Sequence, residues 1–306
     1  MYQIGIDVGG TNLKAGLVDD QGRLLQVSRC PLEFTTPEAL ARTLAELARQ
    51  VMGDLPLREI QALGIGIPGA VEGGNIIFTA NIPMKDIPFA ALVQKYIDLP
   101  GYLANDADCA AAGEYLDGCG RGTRDFVIVT LGTGVGGGMI LGGRLQTGTC
   151  CAGEVGHMVI VPDGAPCSCG RRGCLESYCS ATGLVRMAKE ALSEDPDSSL
   201  HGQNLNGASI FAAAEAGDPL ALRVVKTYDS YLALGLTNLV NILNPQVIAM
   251  GGGVADAPEE LLLEPVAQAV LRDCYGRHVG HWPKVVKASL GNDAGILGAA
   301  RIQTLL

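Results

Sequence analysis

Two segments of this sequence resemble each other, and this internal repeat constrains the fold more than any other feature. One begins at Ile4 and reads IGIDVGGTNLKAGLVDDQGRLL, and the other begins at Phe126 and reads FVIVTLGTGVGGGMILGGRLQT. Each copy contains a β-branched strand, a Gly/Thr turn, a second strand and a glycine-containing turn before Arg-Leu. A spacing of about 120 residues is too long for a solenoid, whose repeats span roughly 20 to 50 residues. The repeat therefore predicts two domains of similar topology that face each other.

The segment between the two copies alternates between helix and strand patterns. TTPEALARTLAELARQV predicts a helix capped by Thr35 or Thr36, with Pro37 in its first turn. We expect the following elements after it: strand 60–68, helix 88–97, strand 101–106 and helix 106–116. This alternation is typical of a mostly parallel sheet, in which ligands bind at the carboxyl ends of the strands. Asn105 and Asp106 lie at such an end.

The second half of the chain predicts a second set of helices and strands. We expect helices near 180–193, 206–216, 218–243 and 257–273, strands near 246–254 and 284–290, and a terminal helix from about Asp293. We expect residues 194–207 to form a polar loop between two of these helices. We predict a small N-terminal lobe of residues 1–118 with the C-terminal helix 293–306. A larger lobe of residues 119–292 then carries the cysteine-rich motif 157–174.

The composition disfavours several classes of partner. The formal net charge of −10 and the lack of a Lys/Arg run argue against nucleic acid. No run of about 18 apolar residues occurs, so we expect no membrane partner. The N-terminus leads directly into the strand pattern YQIGIDVGG and not into a signal peptide, which predicts a cytoplasmic location. Because the cytoplasm is reducing, this location argues against structural disulfides.

The two Gly/Thr turns of the repeat are candidate phosphate-binding loops. In DVGGT (7–11) and LGTGVGGG (131–138), backbone N–H groups can face phosphate oxygens, and Asp7 would lie near a bound magnesium ion. A single turn of this kind could equally be a tight β-hairpin without a ligand. Two such turns in a duplicated fold favour a nucleotide whose phosphates lie between the two domains. The Walker pattern GxxxxGK[ST] is absent, so this is a different class of nucleotide site.

Four polar residues are candidates for contact with a hydroxyl-bearing substrate. Asp106 could accept the proton of an attacking hydroxyl, and the adjacent Asn105 could fix the substrate through other hydroxyls. Both residue types also favour the N-cap of a helix, and the two roles are compatible. Glu154 and Glu176 lie beside the cysteine cluster and could accept hydrogen bonds from sugar hydroxyls, although most glutamates are simply surface carboxylates.

A cluster of cysteines with one histidine is a candidate metal site. His157, Cys167, Cys169 and Cys174 provide one nitrogen and three sulfur ligands within eighteen residues. Cys3His is a common tetrahedral zinc set, and the glycines at 170 and 173 allow the loop to curl around a small ion. Disulfides and free thiols are the alternatives.

Six motifs in the same order resemble those of the ROK family (repressor, open reading frame, kinase), of the bacterial glucokinase type. They are DxGGT, LGxGxPG (63–69), ND (105–106), GTGxGGG (132–138), GExGH (153–157) and CxCGxxGCxE (167–176). The resemblance covers essentially the whole chain. It implies an α/β, actin-like (ribonuclease-H-like) ATPase fold, duplicated in two lobes with a cleft between them.

The resemblance also implies a site that contains ATP, magnesium, a hexose and a structural zinc ion. By this resemblance Asp106 is the general base. The implied sugar contacts are Gly69, Asn81, Asn105, Asp106, Glu154, His157 and Glu176. The implied zinc ligands are His157, Cys167, Cys169 and Cys174. The implied nucleotide contacts are Asp7, Gly9, Gly10, Thr11, Gly132, Thr133, Gly134 and Gly252. A homodimer is the family's usual assembly.

The identity of the sugar is less constrained than the reaction. Many glucokinases of this family carry a tryptophan in a segment where this chain has NIPMKD (81–86). Glucose is the expected substrate, and N-acetylmannosamine, fructose or allose are alternatives. A sugar-binding repressor is a further alternative, which we do not expect because the first phosphate motif begins near residue 4 and precludes a preceding DNA-binding domain. A pseudokinase is not expected either, because both Asp7 and Asp106 are present.

Overall fold

A computed structural model describes residues 1–79, 82–193 and 195–306, and the chain in it forms two compact units. The first unit comprises Met1–Phe126, Gly138–Gly153 and Ser289–Leu306, and the second comprises Val127–Gly137 and Glu154–Ala288. The prediction from sequence assigns residues 119–126, 138–153 and 289–292 to the larger lobe, whereas here they belong to the first unit.

Thirteen strands and nine helices are found among the described residues. The strands are β1 (Tyr2–Val8), β2 (Asn12–Asp19), β3 (Leu24–Pro31), β4 (Ile60–Ile67), β5 (Ala70–Glu72), β6 (Asn75–Phe78), β7 (Lys85–Ile87), β8 (Gly101–Asn105), β9 (Phe126–Leu131), β10 (Val135–Leu141), β11 (Arg144–Leu145), β12 (Val247–Gly251) and β13 (Lys284–Lys287). The helices are α1 (Pro37–Met52), α2 (Phe89–Gln94), α3 (Asp106–Asp117), α4 (Glu176–Cys179), α5 (Ala181–Leu192), α6 (Gly207–Glu215), α7 (Pro219–Leu243), α8 (Leu263–Asp273) and α9 (Ala294–Arg301).

The two copies of the repeat lie in two sheets that have the same strand order. The first sheet has the order β3-β2-β1-β4-β8, and the second has the order β11-β10-β9-β12-β13. The central strand of each sheet, β1 or β9, comes first in the chain. The next two strands in the chain lie on one side of it, and the last two lie on the other side. In the first sheet β1 pairs antiparallel with β2 and parallel with β4, and β4 is parallel to β8. The predicted duplication is confirmed.

Strand β1 is buried on both faces, and its alternation determines where its polar residue points. Ile4 and Ile6 face one side of the sheet and pack in the core with Leu40 and Leu44 of α1. Gly5 faces the other side, where a Cβ atom would come within 2.0 Å of the Ile296 carbonyl oxygen of α9. Because side chains alternate along a strand, Asp7 shares the face of Gly5 and lies at the α9 side, at the carboxyl end of β1.

Most predicted helices and strands are present, with differences at their ends. Thr36 caps α1 by accepting a hydrogen bond from Ala39 N, as its sequence position indicates. The helix predicted from 257 begins at Leu263, since a 3-10 turn and further turns occupy the residues after Gly252. The sheet β5-β6-β7 is not predicted from sequence. It includes a hairpin whose Gly73 and Gly74 both have positive φ, the conformation that tight two-residue turns require.

None of the helices among the described residues has both the length and the hydrophobicity that crossing a bilayer requires.

Candidate active site and metal centre

Asn105 and Asp106 lie at the junction between β8 and α3, and Asn105 is the helix cap. Its Oδ1 accepts hydrogen bonds from the backbone N–H groups of Ala107 (2.8 Å) and Asp108 (3.4 Å). Its Nδ2 donates to the Gly69 carbonyl oxygen at 3.0 Å. The amide of Asn105 therefore fixes both the start of α3 and the Gly69 turn. Gly69 itself has a φ of +135°, and a Cβ there would come within 2.3 Å of the Phe78 carbonyl oxygen, so only glycine fits.

Asp106 is the first residue of α3, and its side chain is exposed to solvent. Its Oδ1 accepts a hydrogen bond from Ala107 N at 2.9 Å. Although the side chain reaches solvent, enough of the protein surrounds the carboxylate for desolvation to raise its pKa above the usual range. A carboxylate with a raised pKa is a stronger proton acceptor, which suits a general base.

Asp7 and Asp106 form a pair of carboxylates whose charges influence each other. The pKa of Asp7 is raised to about 6, first by burial and then by the negative charge of Asp106, while Lys14 opposes the rise. The Lys14 amine donates to Asp293 Oδ1 at 2.6 Å and to the Asn292 carbonyl oxygen at 2.7 Å. Gly295 leaves room for Asp7, since a Cβ there would lie 3.3 Å from Asp7 Cγ. Two carboxylates with incomplete neutralisation favour a divalent cation with oxygen ligands, such as magnesium.

The DVGGT turn is a tight hairpin with exposed backbone. Gly9 N donates to the Asn12 carbonyl oxygen at 3.0 Å, which closes the turn between β1 and β2. Gly10 and Thr11 are exposed, and a Cβ at Gly10 would have no heavy atom within 4 Å. Bare backbone N–H groups at such a turn are available to an anion.

The second Gly/Thr turn is held by the corner between α4 and α5. Ala181 N donates to the Gly132 carbonyl oxygen at 2.8 Å, and Thr182 Oγ1 donates to the Thr133 carbonyl oxygen at 3.0 Å. Gly252, which follows β12, has a φ of +82°, and a Cβ there would come within 2.5 Å of the Leu131 carbonyl oxygen. The position of this turn is therefore fixed by residues distant in sequence.

A cavity of about 580 Å³ lies beside this turn and was not predicted from sequence. It is lined by Thr133 and by residues of α5 and the start of α6, among them Thr182, Val185, Arg186 and Asn206. No motif marks these residues, because their proximity to Thr133 arises only when α5 packs beside the turn.

Glu176 links the second turn to the cysteine-rich loop. Its Oε2 accepts a hydrogen bond from Val135 N at 3.0 Å, directly after Gly134. Its Oε1 accepts one from Ser168 Oγ at 3.0 Å. A Cβ atom at Gly134 would lie 2.5 Å from Glu176 Oε2. The glycine at 134 therefore leaves space for this carboxylate, a role that its place in a phosphate motif does not indicate.

The four predicted zinc ligands converge. The ligand atoms of His157, Cys167, Cys169 and Cys174 all lie within 4.8 Å of one another. His157 Nδ1 is 3.5 Å from Cys167 Sγ, and the sulfurs of Cys169 and Cys174 are 3.8 Å apart. With Zn–S bonds of about 2.3 Å, tetrahedral geometry separates two sulfur ligands by about 3.8 Å. The donor set and its spacing fit a zinc ion, and none of the ten cysteines, all of which are described, is in a disulfide.

Local geometry explains the shape of this loop and the position of Glu154. Gly173 has a φ of +78°, and a Cβ there would lie 1.7 Å from the Val161 carbonyl oxygen, so the loop can curl only with glycine. His157 N donates to the Glu154 carbonyl oxygen at 3.1 Å, forming one 3-10 turn that holds these two residues together. Glu154 is exposed.

The predicted site residues fall into one group in each unit. The first unit contains Asp7, Gly9, Gly10, Thr11, Gly69, Asn105 and Asp106. The second contains Gly132, Thr133, Gly134, Glu154, His157, Cys167, Cys169, Cys174, Glu176 and Gly252. Asn81 lies outside the described residues.

Comparison with known proteins identifies the family. The ROK family model matches residues 3–304. The glucokinase of Streptomyces coelicolor is 37% identical over 311 residues, which cover 97% of this chain and 96% of that protein. The xylose repressor of Bacillus spizizenii is 29% identical and matches 98% of this chain and 76% of the repressor.

A solved structure extends the likeness to the fold. The crystal structure of a ROK family glucokinase from Streptomyces griseus, in complex with glucose and AMPPNP, has a TM-score of 0.83 and 34% identity. The match covers 99% of both chains. The predicted actin-like, two-lobe ATPase fold is confirmed. This chain belongs to the ROK family.

Proposed function

We propose that this chain is an ATP-dependent hexose kinase that converts glucose to glucose 6-phosphate. The relatives named glucokinase support the reaction and the substrate. The observation that carries the chemistry is Asp106, a carboxylate with a raised pKa at the N-terminus of α3, beside a second carboxylate, Asp7.

Asp106 acts as the general base. It accepts the proton of the attacking sugar hydroxyl as that oxygen bonds to the γ-phosphorus of ATP. Asp7 would hold a magnesium ion, which would neutralise part of the phosphate charge. Most of the rate enhancement in phosphoryl transfer comes from positioning and charge stabilisation, so the rigid α3 cap made by Asn105 contributes by fixing Asp106.

ATP binds through backbone groups of the two Gly/Thr turns. The candidate donors are the N–H groups of Gly10, Thr11, Thr133 and Gly134. Those of Gly9 and Gly132 already donate to the carbonyl oxygens of Asn12 and Gly134. The cavity of about 580 Å³ beside Thr133 is large enough for a nucleoside, and we assign it to the adenosine of ATP.

The sugar contacts are Gly69, Asn81, Asn105, Asp106, Glu154, His157 and Glu176. His157 directs Nδ1 toward the cysteine sulfurs, so Nε2 is left for a sugar hydroxyl. His157, Cys167, Cys169 and Cys174 would hold a structural zinc ion, because four protein ligands would leave no open position for a reacting water. The metal loop would thereby orient His157 and, through the Ser168 hydroxyl, Glu176.

The assembly, the location and the exact substrate are less constrained than the reaction. A homodimer and a cytoplasmic location remain predictions. N-acetylmannosamine, fructose and allose remain alternative substrates. A sugar-binding regulator remains the alternative from another class, since one relative of this chain is a xylose repressor.

The test is ATP turnover by the purified protein with a panel of hexoses and N-acetylhexosamines, with Asp106→Asn as the matched control. The proposal requires glucose to have the highest kcat/KM and the variant to lose turnover. Sugar binding without turnover in the wild-type protein would instead support the regulator.

A further inference from the structure

Cys150 and Cys151 are adjacent thiols whose sulfur atoms lie unusually close together. Their Sγ atoms are 3.2 Å apart, which requires the two neighbouring side chains to turn toward each other. Cys151 is exposed and Cys150 is half-buried, so small molecules in solution can reach the pair. Neither cysteine belongs to the His157–Cys174 metal cluster.

A closed turn holds the two thiols in this arrangement. Ala152 N donates to the Thr147 carbonyl oxygen at 3.1 Å, which draws the two ends of the turn together. Gly148 has a φ of +59°, and a Cβ there would meet Ala152 Cβ at 3.3 Å, so the turn is compact. The cysteines lie within this turn and not in a helix or strand.

The other thiols outside the metal cluster are less suited to reaction. Burial raises the pKa of Cys30, and it raises the pKa of Cys119 to about 12. Cys109, Cys179 and Cys274 are buried. Because a thiolate is the reactive species and must be accessible, these sites are disfavoured.

We propose that Cys150 and Cys151 are a reversible dithiol–disulfide modification site. The oxidant is a small-molecule disulfide. The thiolate of one cysteine attacks it, which forms a mixed disulfide and releases one small thiol. The second cysteine, after loss of its proton, attacks the mixed disulfide, which closes the Cys150–Cys151 bond and releases the second small thiol. The protein loses two electrons and two protons, and the small disulfide is reduced to two thiols.

The ring formed in this way is readily opened again. Adjacent Cα atoms are about 3.8 Å apart across a trans peptide, whereas disulfides usually join Cα atoms about 4.4–6.8 Å apart. Closing the ring therefore strains the turn, and a strained, exposed disulfide is easily reduced. The site thus suits reversible modification and not permanent cross-linking.

The consequence for activity rests on the proposed function. Glu154, a proposed sugar contact, follows Cys151 by three residues. Strain in the turn reaches Glu154 through the intervening Ala152 and Gly153, so oxidation should weaken sugar binding more than ATP binding.

The first experiment detects the bond without any activity assay. The protein is treated with oxidised glutathione, alkylated, and cleaved with trypsin and a glutamate-specific protease. The mass of the peptide 145–154 is then measured by mass spectrometry. This peptide contains both cysteines and no others. We expect it to lose two hydrogen atoms and to recover them with dithiothreitol. Persistence of two alkylated thiols, or glutathione attached to either sulfur, would overturn the proposal.

The second experiment uses the double variant Cys150→Ser, Cys151→Ser. Oxidation should raise the glucose KM of the wild-type enzyme by about threefold or more, while the double variant should keep its kinetics under the same treatment. Zinc release is followed in both proteins. If the double variant loses affinity equally, the metal cluster and not this pair is the target, and the claimed effect on sugar binding is wrong. If neither protein phosphorylates glucose, the proposed function fails, while the peptide result stands by itself.

Discussion

Replacement of Gly134 by alanine should weaken sugar binding, although Gly134 belongs to a nucleotide motif. The new Cβ would lie 2.5 Å from Glu176 Oε2, about 1 Å closer than van der Waals contact allows. The carboxylate is the flexible end of its side chain, so it moves away and the fold is retained. A retreat of about 1 Å breaks its 3.0 Å hydrogen bond from Val135 N, because such bonds rarely exceed about 3.2 Å.

The size of the effect follows from the bond that is lost. A hydrogen bond to a charged group contributes about 1.5–3 kcal/mol. Since about 1.4 kcal/mol corresponds to a factor of ten, complete transmission to the sugar would raise the glucose KM roughly 10- to 100-fold. Gly132→Ala is the matched control, because its Cβ would have only the Gly134 carbonyl oxygen nearby, at 4.0 Å.

Steady-state kinetics with each substrate varied in turn distinguishes the two roles. We expect Gly134→Ala to raise the KM for glucose more than that for ATP, with a Tm close to wild type. Gly132→Ala should affect ATP more than glucose. An unchanged glucose KM with a raised ATP KM in Gly134→Ala would refute the orienting role of this glycine and leave it a nucleotide contact alone.

Three further predictions concern the base, the metal and a buried carboxyl. Asp106→Asn should lower kcat by roughly 10²–10⁴ with a smaller change in sugar affinity. The kcat/KM of the wild type should fall as the pH drops through the raised pKa of Asp106, because the base becomes protonated. A flat pH profile together with near-normal turnover of the variant would show that Asp106 is only a residue of the helix. Metal analysis should find about one zinc per wild-type chain. Cys169→Ser should lose this zinc and raise the sugar KM roughly tenfold or more. Full activity without zinc would contradict the orienting role of the metal. Asp229 in α7 is buried, Oδ1 has no hydrogen-bond partner among the described residues, and burial raises its pKa to about 8. The folded state therefore binds more protons than the unfolded state between the unfolded pKa of about 3.9 and about 8, so stability from this group falls as pH rises through that window. Urea unfolding at several pH values should show a weaker fall in Asp229→Asn, and identical pH slopes would exclude this assignment.

The sequence alone predicts the features that depend on short stretches of chain. The helix α1 begins where Thr36 and Pro37 indicate, because capping involves only neighbouring residues. The four predicted zinc ligands lie within eighteen residues, so a single loop brings them together. The repeat predicts two domains of similar topology because each copy contains its own strand-turn-strand pattern, and the two sheets share one strand order. From the sequence, Asn105 could be a helix cap, a substrate contact or both. The structure establishes that it is a helix cap, and this is compatible with a substrate contact.

Other properties of the site depend on which distant segments meet, and only the tertiary structure decides these. Glu176 contacts the turn at Gly134, although the two residues are more than forty positions apart in the chain. The spacing of the motifs therefore does not indicate that the glycine leaves space for the carboxylate. The pKa of Asp7 rises because folding buries it near Asp106, about a hundred residues away in the chain. The cavity beside Thr133 exists because α5 packs there. Local patterns determine caps, turns and ligand spacing, since those energies involve near neighbours. Charge coupling, steric fit and cavities depend on distances in space, which the order of residues does not contain.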